Sequence, residues 1–385
     1  MRRELKVARP LFLQQERLLR NISTVLHSGR LMNGEFTANF EKVFAEYAKV
    51  PHAISVNSCT TALEIVLRYI GVADGEVIIP TNTFLATANA AIFAGGKPLL
   101  ADIKPETYFL DPAEVRRLIS EKTRAVIAVH IAGYIPPEIE EIKRLCDDQG
   151  IPLVEDCAHA AGASYKGKGA GTFGLAGCFS FYPTKIITTG TGGMITTADD
   201  NLNKYARSVR VHGAGTGLTD ITNIGNDWFL DEIRSCLGLN QMESLAFFLE
   251  KRHAIARCYD KLINSTVGLR KLPVNEECQP AYYKYPLQVT AEIDVQDMKK
   301  TFQGKYGFEL EAVYWPTCHL QPVYQTTFGY SYGWFPVAES TLSRQVTLPI
   351  HADMTADDAE YAFECLIAEI GTRVREATNT PLNQT

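Results

Sequence analysis

RAVIAVHIAGYIPPEIEEIKRLCDDQGIPLVEDC, residues 124–157, carries the pattern from which the architecture of this chain can be inferred. Two short apolar runs, at 124–130 and 151–157, predict buried strands. Between them, EIEEIKRLCDDQ has apolar residues three and four positions apart, which predicts an amphipathic helix. A strand, a helix and a second strand in this order form a unit of a parallel sheet.

The same alternation continues on both sides of this unit. Further apolar runs that predict strands are AISV (53–56), EVIIP (76–80), KPLLAD (97–102), GCFSF (177–181) and GGMITT (192–197). Helical patterns separate several of them, so the sequence predicts an α/β fold with a mainly parallel central sheet. In such sheets ligands bind beyond the carboxyl ends of the strands, and polar residues at those ends become candidates for a site.

The pattern changes after GAGTGLTDITNIGND (213–227), a glycine-rich polar stretch. The elements predicted beyond it are a helix at 231–263, strands at 282–289 and 310–316, and a last helix at 355–370. They indicate a smaller α+β unit, and a chain of 385 residues is long enough for two domains. We therefore predict a large domain with an N-terminal helical segment at 1–240 and a small C-terminal domain at 241–385.

Composition and charge argue against several classes of protein. With 38 basic and 44 acidic residues the net charge is -6, which gives no electrostatic footprint for a nucleic acid. No apolar run approaches the roughly 20 residues of a membrane-spanning helix. The nine cysteines form no Cys-x-x-Cys pair and the eight histidines no His-x-x-x-His pair. We expect reduced thiols, no metal site, no nucleic-acid or membrane partner, and a cytoplasmic location.

Charged residues follow two of the predicted strands. Asp156 ends the strand at 151–157, where it is as typical of a turn or helix cap as of a carboxylate that holds a cationic ligand. Lys185 lies between the strand at 177–181 and a glycine-rich turn. A lysine there is usually solvated, but in a closed pocket it can lose its proton and attack a carbonyl carbon.

Two further strand ends carry weaker signals. Ser58, Cys59 and Thr60 stand at the start of a predicted helix, which suits either ordinary capping or phosphate binding. Phe84 follows the next strand and is either a core residue or a stacking platform. Together, a phosphate site, an aromatic ring, a carboxylate and a lysine at one sheet edge describe a site for pyridoxal 5′-phosphate.

These motifs also carry a resemblance to a known family. SCTTALE (58–64), VEDCAHAAGASYKGKGAGTFG (154–174) and CFSFYPTKIITTGTGGMITT (178–197) make the chain similar to the DegT/DnrJ/EryC1/StrS aminotransferases. The resemblance implies the fold of PLP-dependent transferases of fold type I, which is aspartate-aminotransferase-like. The run at 186–197 looks most like perosamine-synthase-type enzymes, which aminate C4 of a 4-keto-6-deoxy sugar.

The resemblance also implies roles for individual residues. Lys185 would bind the cofactor covalently and move protons between cofactor and substrate, and Asp156 would pair with the ring nitrogen. His159 would lie near the 3′-oxygen of the cofactor and Phe84 against its ring. The phosphate would be held by a group of small polar residues, namely Ser58, Cys59, Thr60 and Ser180.

The family forms dimers whose sites are shared, and a loop residue of the neighbour usually reaches the phosphate. Relatives commonly have Asn-x-Arg in that loop, whereas this chain has Asp227 and Phe229 at those two positions. Either Asn226 takes over the contact by a one-residue shift or the contact is lost. The residues expected in the sugar pocket are His319, Tyr314 and His212.

The retained lysine bears on the type of reaction, because the dehydratase branch of the family has histidine in its place. Lys185 therefore favours an aminotransferase that takes its amino group from an amino acid, L-glutamate being the expected donor. The expected acceptor is a nucleotide-linked keto sugar with a 4-keto-6-deoxy group. Two alternatives stay open: an enzyme acting on a 3-keto sugar or a cyclitol, and a non-catalytic PLP-binding regulator.

Overall fold

The structure is a computed structural model that describes residues 4–217, 219–264 and 266–379. In chain order the helices are α1 (Gln15–Ser28), α2 (Glu35–Ala48), α3 (Cys59–Ile70), α4 (Leu85–Phe93), α5 (Pro112–Leu118), α6 (Glu138–Asp148), α7 (Asp200–Val209), α8 (Glu232–Ile263), α9 (Val295–Tyr306), α10 (Pro322–Phe328), α11 (Pro336–Leu342) and α12 (Ala356–Asn379). The strands are β1 (His52–Val56), β2 (Glu76–Pro80), β3 (Lys97–Ala101), β4 (Thr123–Val129), β5 (Leu153–Asp156), β6 (Ser164–Tyr165), β7 (Lys168–Gly169), β8 (Ala176–Ser180), β9 (Gly193–Thr197), β10 (Leu269–Lys271), β11 (Cys278–Gln279), β12 (Tyr285–Val289) and β13 (Gln345–Leu348).

A seven-stranded sheet forms the centre of the fold, in the order β1-β9-β8-β5-β4-β2-β3. β9 runs antiparallel to both of its neighbours, while the other adjacent pairs are parallel. The central strands β4 and β5 of this sheet are almost wholly buried, as their apolar runs without polar alternation predict. The mainly parallel α/β architecture predicted from the sequence is therefore confirmed.

The register of this sheet brings the predicted site residues to one edge. Val129 at the end of β4 pairs with Asp156 at the end of β5, and Asp156 pairs with Cys178 in β8. α3 begins directly after β1, and its N-terminus is capped by Ser58, whose hydroxyl accepts a hydrogen bond from the backbone N–H of Thr61. The carboxyl ends of β1, β5 and β8 thus lie close together.

A second region contains the antiparallel sheet β10-β12-β13, which packs with α9, α12 and the second half of α8. α8 runs without interruption through residue 240, where we predicted the domain boundary. Phe248 belongs to the core beneath the large sheet, whereas Ile255 and Tyr259 belong to the core of the second region. The division at 240 stays a prediction, but the change from one core to the other occurs within α8, between residues 248 and 255.

The strand predicted at 310–316 is not formed, and this prediction was wrong. Only Glu311 makes an isolated bridge, to Thr347 in β13. The next backbone N–H groups donate to side chains instead of a neighbouring strand: that of Val313 to Gln345 and that of Tyr314 to Asn82. Proline at 316 has no N–H to donate to a sheet.

The segment that follows returns to the large sheet. Val313, Cys318, Tyr324 and Phe335 pack into the same core as the strands β1 and β2. As a result, Tyr314 lies at the carboxyl edge of the large sheet, although the last strand of that sheet in the sequence, β9, ends at residue 197. Within the described ranges, no helix combines the length and the apolar character that crossing a membrane requires.

Candidate active site

A cavity of about 480 Å³ opens at the carboxyl edge of the large sheet. It is lined by the predicted residues Ser58, Cys59, Thr60, Phe84, Asp156, His159, Ser180, Lys185 and Tyr314. These side chains come from five parts of the chain that are distant in sequence; the register of β5 and β8 places Asp156 and Ser180, and packing places Tyr314. Nine of the predicted site residues therefore line one cavity.

Asp156 presents a buried carboxylate to this cavity. Its Oδ2 accepts a hydrogen bond from the hydroxyl of Thr87 (2.7 Å) and its Oδ1 one from the backbone N–H of Ala158 (3.0 Å). Burial raises the pKa of the carboxyl, and these hydrogen bonds and the charge of Lys185 offset part of that rise. Within the described residues, no basic side chain forms an ion pair with Asp156, so it is prepared for a cationic ligand group.

Lys185 precedes the glycine-rich turn at 188–193, and its side chain lines the same cavity. Its Nζ is 4.6 Å from the ring centre of Tyr283 and makes no ion pair with any residue that the structure describes. The hydroxyl group of Tyr283 is hydrogen-bonded to that of Thr184 at 3.1 Å. The ring contact therefore places Nζ over the cavity without tying it to a carboxylate.

The start of α3 forms one end of the cavity. Ser58 and the hydrogen-bonded first turn satisfy the N–H groups of Thr61 and Ala62, but in the described part of the chain no acceptor reaches those of Cys59 and Thr60. Gly193 stands against this turn, and any side chain there would overlap the backbone of Ser58 and Cys59. Free N–H groups at a helix start suit a phosphate, and the hydroxyl of Ser180 lies on the same cavity wall.

Cys59 is not an activated thiol. Burial raises its pKa well above the usual value, and the neighbouring Asp156 and Cys178 raise it further. The thiol therefore stays protonated, and its contribution to the cavity is its backbone N–H and its small volume.

His159 and Tyr314 form a hydrogen-bonded pair in the cavity lining. Nε2 of His159 and the hydroxyl oxygen of Tyr314 are 2.8 Å apart, and the imidazole stacks on Tyr283 with ring centres 4.1 Å apart. Burial lowers the pKa of His159 well below its usual value, and the charges of Lys185 and Lys284 lower it further. The imidazole is thus neutral in the folded protein.

Phe84 stands at the mouth of the cavity and is 56% exposed, which is unusual for a large apolar ring. Its ring centre is 5.8 Å from that of Tyr314. The core alternative for this residue is therefore wrong, and its position suits a platform for a flat ligand.

The loop residues Asn226 and Asp227 do not line this cavity. Both are exposed, and the backbone of the loop is fixed by hydrogen bonds from Asn57 to Trp228 and from His212 to Asn226. His212 is also exposed and away from the cavity wall. The structure thus gives none of the three a contact with the site of the same chain.

His319 is buried and takes part in a different network. Its Nε2 is 2.9 Å from Glu339, and its Nδ1 is 2.7 Å from the hydroxyl of Thr81 and 3.0 Å from that of Thr317. Both ring nitrogens are used within the protein, so His319 cannot also bind a sugar without breaking this network. Its expected role as a substrate ligand is not supported by its position.

Two residues of the site could not be recognised from the sequence. Tyr283 contacts both Lys185 and His159, but in the sequence it lies in an apolar run that predicted only a strand. Thr87 holds Asp156 from within α4 and was hidden among small helical residues. Neither carries a local signal, because each is brought to the site by packing alone.

Glu155, the neighbour of Asp156, faces away from the cavity. It accepts hydrogen bonds from the N–H groups of Gly171, Phe173 and Gly174 and contacts Nε2 of His130 at 2.8 Å. His130, Glu155 and Cys157 form a buried group whose potential metal-ligand atoms lie within 4.8 Å of one another. Because Glu155 is saturated by protein donors, its role is to hold the loop at 171–174.

The family to which these features point can be tested by comparison with known proteins. The model of the DegT/DnrJ/EryC1/StrS aminotransferase family matches residues 13–367. The chain belongs to this family. Enzymes of the DegT/DnrJ/EryC1/StrS family depend on pyridoxal phosphate, and both the predicted cofactor and the assignment as an aminotransferase are confirmed.

Individual members show how far the similarity extends. GDP-perosamine synthase of Escherichia coli O157:H7 is 33% identical over 339 residues, covering 86% of this chain and 90% of that protein. The UDP-N-acetyl-3-dehydro-alpha-D-glucosamine 3-aminotransferase of Acidithiobacillus ferrooxidans is 31% identical over 366 residues, 94% of each chain.

A solved structure extends the comparison to the fold. The Helicobacter pylori aminotransferase PseC, involved in the biosynthesis of pseudoaminic acid, superposes with a TM-score of 0.89 at 27% identity, over 96% of this chain and all of that one. This confirms the predicted fold of PLP-dependent transferases of fold type I.

Proposed function

We propose that this DegT/DnrJ/EryC1/StrS aminotransferase moves an amino group from an amino acid, L-glutamate, to a nucleotide-linked keto sugar, with a 4-keto-6-deoxy sugar as the acceptor. The observation that carries the proposal is the presence of Lys185 and Asp156 on one cavity wall, next to free N–H groups at the start of α3. The cavity offers a cation, an unpaired carboxylate and a phosphate site, which is the donor set that pyridoxal phosphate requires.

Each of these groups has a distinct task in the proposal. Asp156 would hold the ring nitrogen of the cofactor in its protonated form, since a buried carboxylate gains most from a cationic neighbour. The N–H groups of Cys59 and Thr60 and the hydroxyl of Ser180 would hold the phosphate. Phe84 would cover one face of the ring, and its exposure at the cavity mouth leaves room for a bulky substrate beside it.

When bound, pyridoxal phosphate supplies an electron sink that allows an amino group to be transferred. Lys185 would anchor the cofactor and, once free, accept and return a proton at its Nζ. The Tyr283 ring, 4.6 Å from that Nζ, would hold the free lysine over the cavity. The mixed polar and aromatic walls would limit access of water during the transfer.

We also propose that the protein acts as a homodimer with shared sites. Asn226 and Asp227 are exposed and are not among the residues that line the cavity of their own chain, which leaves them available to a second subunit. Asn226 would be the residue that reaches the neighbour's phosphate, because an amide donates to an anion and the carboxylate of Asp227 would repel it.

Support for a nucleotide-linked acceptor comes from the relatives, whose names include both a GDP-linked sugar and a UDP-linked 3-keto sugar. The test is an incubation with 15N-labelled L-glutamate and a panel of acceptors: nucleotide-linked 4-keto-6-deoxy sugars, a nucleotide-linked 3-keto sugar and an inosose. Mass spectrometry of the products is expected to find the label in a 4-amino-4,6-dideoxy sugar. Label only in the 3-amino sugar or the aminated cyclitol would contradict the proposed acceptor, and label in none of them would contradict the proposed activity.

A further inference from the structure

The hydrogen bond between His159 and Tyr314 has a direction that a third group fixes. The backbone N–H of Ala132 donates to Nδ1 of His159 at 3.2 Å, so Nδ1 carries a lone pair and no proton. Because burial and nearby positive charges keep the imidazole neutral, its single proton must be on Nε2. Nε2 is therefore the donor in its contact with Tyr314.

This leaves the hydroxyl proton of Tyr314 without an acceptor among the described residues. The oxygen of Tyr314 accepts from Nε2 of His159 at 2.8 Å, and in the described part of the chain it makes no other hydrogen bond. Burial raises the pKa of the hydroxyl well above its usual value, so the proton stays on the oxygen. Tyr314 lines the cavity, and the proton is available to whatever binds there.

The pair is also held rigidly. The imidazole of His159 stacks on Tyr283 with ring centres 4.1 Å apart, and the backbone N–H of Tyr314 donates to Asn82 at 3.1 Å. The Tyr314 ring packs against Phe84. A donor that is oriented before its ligand arrives loses little entropy on binding it.

We propose that Tyr314 is a fixed hydrogen-bond donor to a negatively charged oxygen of the molecule bound in the cavity, and that His159 is the positioning residue that keeps Tyr314 a donor. The inference rests on the proposed function, because that function supplies the bound molecules. Two of them carry such an oxygen: the cofactor, at its ring oxygen, and the amino-acid donor, at its carboxylate.

The experiment compares Tyr314→Phe with the wild type, and uses Tyr332→Phe, at an exposed ring, as the matched control. The visible spectrum and the cofactor dissociation constant are measured without substrate, and KM and kcat are then measured with L-glutamate. If the oxygen is the cofactor's, Tyr314→Phe shifts the absorption maximum and weakens cofactor binding by about 10-fold or more. If it is the substrate's, cofactor binding is unchanged and KM for L-glutamate rises by a similar factor.

Two variants of His159 test the positioning role while Tyr314 stays in place. A glutamine amide offers an acceptor and a donor group, so His159→Gln is expected to restore part of what His159→Leu loses in the spectrum and the constants. His159→Leu offers neither and is expected to behave like Tyr314→Phe. Thermal unfolding and circular dichroism check that each variant is folded.

The inference would be overturned if folded Tyr314→Phe left the spectrum, the cofactor dissociation constant and KM unchanged. It would also be overturned if His159→Leu matched the wild type. A wild-type protein that does not bind pyridoxal phosphate at all would instead contradict the proposed function, so the two failures are distinguishable.

Discussion

The cavity has two walls that differ in how they are built. One wall consists of strand ends and the turns that follow them, and it carries Ser58, Asp156 and Lys185. The other consists of Tyr283 and Tyr314, which lie in irregular segments beyond α8. The first wall is positioned by the register of the sheet, the second only by side-chain packing and single hydrogen bonds.

The difference indicates a division of work. The strand-end wall holds the charged groups: Asp156 ends β5 and accepts hydrogen bonds from the backbone of Ala158 and the hydroxyl of Thr87, and Lys185 follows β8. The aromatic wall contacts residues of the first: the Tyr283 ring centre is 4.6 Å from Nζ of Lys185, and the hydroxyl of Tyr314 is hydrogen-bonded to Nε2 of His159. Substitutions in the first wall should abolish chemistry, whereas those in the second should reduce it by smaller factors.

The largest effect after loss of the lysine is expected at the carboxylate. Asp156→Asn keeps the size of the side chain but removes the charge that would face the cofactor ring nitrogen. We expect kcat to fall by about 100-fold or more, measured in a coupled glutamate assay. Asp148→Asn, at an exposed helix end, is the matched control. Equal kcat values of the Asp156→Asn and Asp148→Asn variants would contradict the proposed role of Asp156.

A smaller effect is expected at the aromatic wall. Tyr283→Leu removes the ring against Lys185 and the stack on His159, and we expect kcat to fall by about 10-fold. Tyr283→Phe keeps the ring and loses only the hydrogen bond to Thr184, so its kcat should stay within about 3-fold of the wild type. If the phenylalanine variant were as impaired as the leucine variant, the hydroxyl and not the ring would be the important group.

The smallest effect on catalysis is expected at His319. A substitution there should change the stability of the protein and not its kcat. His319→Asn leaves Thr81, Thr317 or Glu339 without a partner, which should lower the free energy of unfolding by about 1–3 kcal/mol. The kcat of the folded fraction should be unchanged. Denaturant titration gives the first quantity, and His27→Asn, at an exposed site, is the control.

The same residue should contribute to acid sensitivity. Burial lowers the pKa of His319 below its unfolded value of 6.5, so the unfolded chain takes up the proton first as the pH falls. Stability is therefore lost below about pH 6.5, with a slope of up to about 1.4 kcal/mol per pH unit from this group. His319→Asn should show a shallower slope between pH 6.5 and 5, and an unchanged slope would assign the acid sensitivity to other groups.

The two walls also differ in how well the sequence predicted them. Asp156 and Lys185 could be found because a carboxylate or lysine after an apolar strand is a local pattern, and a parallel sheet brings all strand ends to one edge. Tyr283 could not be found, since an apolar tyrosine-rich run gives no sign of which ring will meet Lys185. The strand predicted at 310–316 failed for a related reason: its N–H groups bond to Asn82 and Gln345, which are remote in sequence.

His319 illustrates the limit of transferring a role from a resemblance. The residue is a plausible ligand by type, but two hydroxyl groups and Glu339 occupy its ring nitrogens. Those partners lie directly after β2, in the turn before α10, and in α11, and only tertiary structure brings them together. The same holds for Asn226 and Asp227, whose proposed role depends on a second subunit.

The central claim is that Lys185 is the residue that binds the cofactor covalently, and the structure contains a second lysine against which this can be tested. Nζ of Lys284 is 5.5 Å from the same Tyr283 ring, and burial together with the charges of Lys185 and Arg252 lowers its pKa to about 8. Lys284 is, however, ion-paired with Glu311 and is not among the residues that line the cavity.

The decisive measurement is borohydride reduction of the protein loaded with pyridoxal phosphate, followed by peptide mass spectrometry. We expect the added cofactor mass on the peptide that contains Lys185, and its disappearance in a folded Lys185→Arg variant. Cofactor mass on Lys284, or undiminished labelling of Lys185→Arg, would contradict it.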